Sequence, residues 1–139
     1  MEARFRSSLK FEDNDGLPFT LLEDLIYISA VTKPPTDRFP FGQFGVIRVP
    51  AGFKTDLASI PQFLWSVLPP VGRYDRAAVV HDYLYRFNGC TRKEADDVLF
   101  EAMAVLGVRA TQRWTIYAGV RAGGWLPWKN YREGKPETV

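Results

Sequence analysis

The chain has 139 residues, 46% hydrophobic, 14% aromatic and 24% charged, with a net charge of +2 from 18 basic and 16 acidic side chains. That length and apolar content suit one domain with its own core, and they exclude a disordered acidic chain. A single cysteine, Cys90, excludes an internal disulfide framework and an all-cysteine metal site.

The first ten residues hold Arg4, Arg6 and Lys10 without an apolar leader core, so no signal peptide is expected. No apolar run approaches the roughly 20 residues of a membrane helix, so no transmembrane segment is expected either. Arg4–Phe11 reads as a strand, and Asn14-Asp15-Gly16 as the turn that follows. Leu25–Val31 (LIYISAV) is rich in β-branched and aromatic residues and predicts a second strand. Lys33-Pro34-Pro35-Thr36-Asp37 breaks the chain as a loop. Gly45–Val49 predicts a third strand, which Pro50-Ala51-Gly52 turns into Phe53-Lys54-Thr55.

Near residue 57 the pattern changes from strands to helices. Ile60–Leu68 predicts a short helix with Pro61 in its first turn, where the missing N–H costs nothing. Pro69-Pro70-Val71-Gly72 stops it. Tyr74–Arg86 predicts a longer helix, ended by Asn88-Gly89. Thr91-Arg92-Lys93-Glu94 is a capping box that opens the next helix, which runs to Leu106. A last helix over 111–122 is expected to stop at Gly123-Gly124, with a loose polar tail over 129–139. The expected fold is α+β in a single domain over 1–139. A small antiparallel sheet in the strand-rich part (1–57) packs on three main helices in the helical part (58–128).

His81, the one histidine, precedes Asp82 in the 74–86 helix, and the following helix carries Asp96 and Asp97. Helices joined by a short turn are antiparallel neighbours. At 100° per residue, Asp96 lies at the edge of the apolar stripe of its helix and Asp97 on the opposite side. Asp96 is therefore the carboxylate aimed at His81. A carboxylate on a histidine fixes its tautomer and stabilises the imidazolium, as a general base requires. Asp82 points about 100° away from His81. It is a candidate to bind a cation beside the histidine, with Asp56 as a second carboxylate and loop carbonyls completing an oxygen shell. The structural alternative is a helix histidine bonded to a carboxylate, with Asp82 paired to Arg86 at i,i+4.

Ser59 lacks the G-x-S-x-G elbow of a serine hydrolase, and one histidine with one cysteine does not make a zinc site. From Val108 onward, basic residues alternate with Trp114, Tyr117, Trp125, Trp128 and Tyr131. That mixture suits either a solvated helix with rings packed inward or an anionic surface. At least one of Trp125 and Trp128 should be largely buried by packing on the helices, with Arg113, Arg121 and Lys129 remaining exposed. No nucleic-acid motif is present, so sequence-specific nucleic acid is not an expected partner.

Two resemblances attach to these residues. The runs FKTDLASIPQFLW, GRYDRAAVVHDYLYR and TRKEADDVLFEAM resemble a family of phage and prophage proteins known as a domain of unknown function, across roughly residues 40–128. RAAVVHDYLYR followed by EADDVLF is similar to the helix pair of phospholipases A2, including the parvoviral capsid type. That pattern is H-D-x-x-Y on one helix and an aspartate on the next. The resemblance implies His81 as the base that activates water, Asp82 as a calcium ligand, Tyr85 one turn along, and Asp96 orienting the histidine, with Asp97 as the competing match because Phe100 lies three residues after it. The Gly-rich calcium loop of those enzymes has as counterparts only Val71-Gly72-Arg73 and Pro50-Ala51-Gly52-Phe53.

Together these readings make the chain a candidate phage- or prophage-encoded hydrolase of lipid or cell-envelope esters, with calcium as the candidate cofactor. The alternative is a non-enzymatic virion (tail or capsid) or assembly component with a structural His–Asp network. Phage structural proteins or a lipid or envelope surface would be the partners, and the host cytoplasm or the virion the location. An open cleft at His81 with a free coordination position near Asp82 favours the enzyme, and a histidine sealed in the core would end that reading.

Overall fold

The structure, a computed structural model, describes residues 3–5, 11–13, 19–31, 46–55, 74–86 and 90–132. The expected turn at 14–16, loop at 33–37 and helix at 60–68 lie outside them, as do Asp56 and Ser59. The strands are β1 (Arg4–Phe5), β2 (Phe11–Asp13), β3 (Phe19–Leu21), β4 (Leu25–Ile28), β5 (Val46–Val49) and β6 (Lys54–Thr55). The helices are α1 (Asp75–Arg86), α2 (Arg92–Val105), α3 (Ala110–Gly123) and α4 (Trp125–Arg132). The fold is α+β, with antiparallel strands in the N-terminal part and helices in the C-terminal part.

The strands form two small sheets, ordered β1-β4-β5 and β2-β3-β6. In the first, Leu25 pairs with Val49 and Tyr27 with Ile47, which puts Leu25, Tyr27, Ile47 and Val49 on one buried face. The period of two in both strands produces that face. Two bonds extend the β3–β6 pairing into the turn after β5, Gly52 N to the Leu21 carbonyl at 2.7 Å and Leu21 N to the Phe53 carbonyl at 2.9 Å. Gly52 takes φ +89° in this turn, a conformation that glycine adopts without penalty.

Helix α1 is the centre of the molecule. Every residue from Ala77 to Tyr85 is buried, because α2, α4 and strands β4, β5 and β6 all pack around it. A helix covered on all sides has no solvated face, so its polar residues must find partners inside the protein. The adjacent helix α2 starts as its sequence indicates. Thr91 accepts from Glu94 N while Glu94 reaches back to Thr91 N at 2.9 Å, a complete capping box. It buries Ala95, Val98, Leu99, Ala102 and Met103 against α1. Gly107, at φ +81°, ends the turn after α2.

Glu101 of α2 fastens the first sheet to the helices. It accepts from Tyr27 Oη at 2.7 Å, Ser29 Oγ at 2.8 Å and Ala30 N at 3.0 Å.

The helix over 111–122 stops at the two glycines, with Gly124 as the C-cap of α3: its N–H bonds the Val120 carbonyl at 2.8 Å. A further helix, α4, begins directly at Trp125, and the Trp128 N–H bonds the Gly124 carbonyl at 3.2 Å. Lys129–Arg132 are therefore helical rather than part of a loose tail. No helix among the described residues is long and apolar enough to cross a membrane.

The capping box gives a direct test of this arrangement. Replacing Thr91 with Ala removes one of its two bonds and should cost about 1 kcal/mol. The urea midpoint should fall with an unchanged slope. An unchanged midpoint would show that α1 packing alone holds the start of α2.

Candidate functional site

His81 and Asp96 meet at the α1–α2 interface. His81 Nε2 lies 2.7 Å from Asp96 Oδ1, and both side chains are fully buried. The angular position of Asp96 on α2 accounts for this pairing. Asp97, on the other side, takes Lys93 Nζ at 2.7 Å and Tyr117 Oη at 2.6 Å instead.

Asp96 gathers further donors. Tyr85, one turn after His81, donates its hydroxyl to Oδ1 at 2.6 Å, and its ring lies 4.3 Å from the imidazole. On Oδ2, Arg121 Nη1 sits at 2.8 Å and Arg92 Nη1 at 3.4 Å. Arg92 also bonds the carbonyls of Val120, at 3.0 Å, and Arg121, at 3.1 Å, which fixes the end of α3 to the start of α2. Gly124 makes this approach possible. A Cβ there would stand 2.5 Å from the Tyr85 hydroxyl and 2.5 Å from the Val120 carbonyl.

The electrostatics follow from these contacts. Burial by itself pushes the Asp96 carboxyl up. The hydrogen bond and charge of His81, with the bonds from Tyr85 and Arg121, outweigh it and hold the carboxyl below its ordinary value. Burial and the Asp96 charge push the Tyr85 phenol far up, so it stays a donor. With Nε2 facing an ionised carboxylate, the neutral imidazole carries its proton on Nε2, and Nδ1 is the acceptor nitrogen.

Asp82 faces away from His81, as its position on the helix requires. Its Oδ2 accepts from Thr55 Oγ1 at 2.7 Å, supplied by β6, and from Arg86 Nε at 3.1 Å. Arg86 is itself held between Phe53 and Tyr131, 5.5 Å and 5.1 Å from their ring centroids. A guanidinium thus sits where a cation would approach Asp82, and among the described residues no group of three His, Cys, Asp or Glu side chains converges on an ion.

The sequence did not single out three partners. Arg92 stands four residues before Asp96, a readable i,i+4 pair. Arg121 lies 25 residues from Asp96, and Thr55 lies 27 from Asp82, at separations that carry no local signal. Arg121 was expected to project. It turns inward because the buried carboxylate needs its charge. Arg113 is half-buried, bonding the Val108 carbonyl at 2.7 Å and lying over Phe100, while Lys129 is exposed. Trp128 is the partly buried tryptophan, packed edge-on against Tyr85, and Trp125 stays exposed.

A family profile described as "Protein of unknown function (DUF1353)" matches residues 36–120. Over 78 residues, 55% of this chain, the sequence is 33% identical to an uncharacterized protein, y4jT, of Sinorhizobium fredii (strain NBRC 101917 / NGR234). That match spans 23% of the relative's length. No solved structure matches the chain significantly.

Two outcomes test this site. Asp96→Asn leaves two arginines beside a neutral side chain and should cost about 3–5 kcal/mol at neutral pH. The carboxylate's contribution is complete above its unfolded value of 3.8 and is lost as the pH falls through the lower folded value. The stability gap between wild type and variant should therefore narrow on acidification in guanidinium unfolding, and a constant gap would contradict the assignment. Gly124→Ala should cost about 1–3 kcal/mol by overpacking against Tyr85. A thermal midpoint equal to wild type would show that the junction has room.

Proposed function

The chain belongs to the DUF1353 family, and from the site we propose that it is a hydrolase of lipid or cell-envelope esters with a phospholipase A2-like dyad of His81 and Asp96. The convergence of His81 Nε2 and the Tyr85 hydroxyl on one oxygen of Asp96 supports this reading. The resemblance implies the His81–Asp96 contact, with Tyr85 one turn along.

In this reading Nδ1 of the neutral ring takes a proton from water as the water oxygen attacks the ester carbonyl. The imidazolium then returns that proton to the leaving alcohol. Asp96 stabilises the imidazolium, and Tyr85 keeps the carboxylate aligned. His81 has no exposed surface, the outcome set against an enzyme, so the reading stands only if a covering part of the chain moves when an ester enters. Calcium, with Asp82 and Asp56 as its carboxylates, belongs to the same proposal, and no step above passes through it.

The sealed histidine and the two arginines on Asp96 favour a second reading. There the network is structural, in a non-enzymatic virion or assembly component, and phage origin belongs to both readings through resemblance alone.

Release of fatty acid from phosphatidylglycerol vesicles, with calcium and with a chelator, separates the two. The hydrolase reading expects turnover by the wild type and a loss of at least about 100-fold in His81→Gln. Absence of turnover in both conditions, with a lowered melting temperature for His81→Gln, would overturn it in favour of the structural network.

A further inference from the structure

The two polar clusters of α1 share a neighbour, the last helix. Tyr85 donates to Asp96 beside His81, and Arg86 donates to Asp82. The Trp128 ring meets Tyr85 edge-on at 5.2 Å, and the Arg86 guanidinium lies 5.1 Å from the Tyr131 ring centroid. Trp128 and Tyr131, three residues apart on α4, share one side of that helix. They lie against the two side chains that bond the two buried carboxylates.

Helix α4 is held differently from the other three. Helices α1, α2 and α3 each bury residues in the core, whereas no described side chain from Trp125 to Tyr131 is buried. Trp128 and Tyr131 pack on the core as half-buried rings. The end of α3, by contrast, is pinned. Arg92 bonds the carbonyls of Val120 and Arg121, and Arg121 bonds Asp96. The joint between the pinned helix and the ring-held one falls at Gly123-Gly124, where a change of φ and ψ involves no Cβ. A segment without buried side chains opens locally, ahead of global unfolding.

We propose that α4 is an autoinhibitory strap. In the closed state of this structure, Trp128 covers the Tyr85 side of the dyad and Tyr131 holds Arg86 on Asp82. Swung out about Gly123-Gly124, α4 uncovers the His81–Tyr85 side of α1 and lets Arg86 part from Asp82. The inference rests on the hydrolase reading for its purpose, because it names the covering part of the chain that moves before an ester reaches His81.

His81 is the chain's one histidine, so its carbethoxylation by diethyl pyrocarbonate in untagged protein reads the opening directly. In the wild type the rate should not change with low urea, because a local opening exposes little surface. The Trp128 amide, bonded to the Gly124 carbonyl, should exchange with the same insensitivity to urea. Replacing Trp128 and Tyr131 together with Ala removes both ring contacts and should speed carbethoxylation at least about tenfold, still independent of urea. A wild-type rate that climbs with urea along the global unfolding slope would overturn the proposal, as would a folded double variant modified at the wild-type rate. A Trp128 amide that exchanges only by global unfolding would overturn it too, and this wild-type measurement decides if the double variant does not fold. Ester turnover enters none of these readouts. A strap that opens without turnover removes the hydrolase reading alone, and turnover with α4 closed removes the strap alone.

Discussion

A fully buried carboxylate must be matched by donors, and Asp96 draws them from three helices. His81 and Tyr85 come from α1, Arg92 from its own helix α2, and Arg121 from α3. An ionised group taken out of water is stable only with such partners. The packing of the helices is therefore coupled to one charge. Tyr85 extends the coupling to α4 through the edge of Trp128. Arg92 extends it along the backbone at the end of α3.

A second polar cluster lies on the same central helix, turned away from the first. Asp82 joins Thr55 of β6 to Arg86, and Arg86 lies between Phe53 and Tyr131. Adjacent residues of α1 thus serve different neighbours, His81 the helices and Asp82 the second sheet. This follows from the 100° between successive side chains. It also explains why a dipeptide that reads as one motif forms two separate contact sets. A third carboxylate, Glu101, does for the first sheet what Asp82 does for the second. Each layer of the fold is thus attached to the helical pair by a carboxylate.

What could be read from the sequence was local. The capping box at Thr91, the period of α2 and the edge position of Asp96 together gave the antiparallel pair and the His81 contact. Strands β4 and β5 were legible from their β-branched residues, but β3, three residues long, was not. Its stability comes from pairing with β2 and β6 rather than from its own composition. Gly123-Gly124 read as a stop because two glycines weaken a helix. Helix α3 does end there, and the missing side chain of its cap Gly124 lets it approach Tyr85 and Arg92. Helix α4, which the sequence did not single out, follows directly. Arg121 read as a surface charge because nothing in its neighbourhood in sequence refers to Asp96.

The central claim is that Asp96 fixes the His81 ring in one tautomer, with the proton on Nε2. The chain has a single histidine, so untagged protein labelled with ¹⁵N-histidine gives one pair of ring-nitrogen resonances. In the neutral ring the account predicts a protonated Nε2, coupled to its hydrogen and protected from exchange, and an unprotonated Nδ1. A neutral ring with the proton on Nδ1, or a ring exchanging rapidly between the two tautomers, would contradict it.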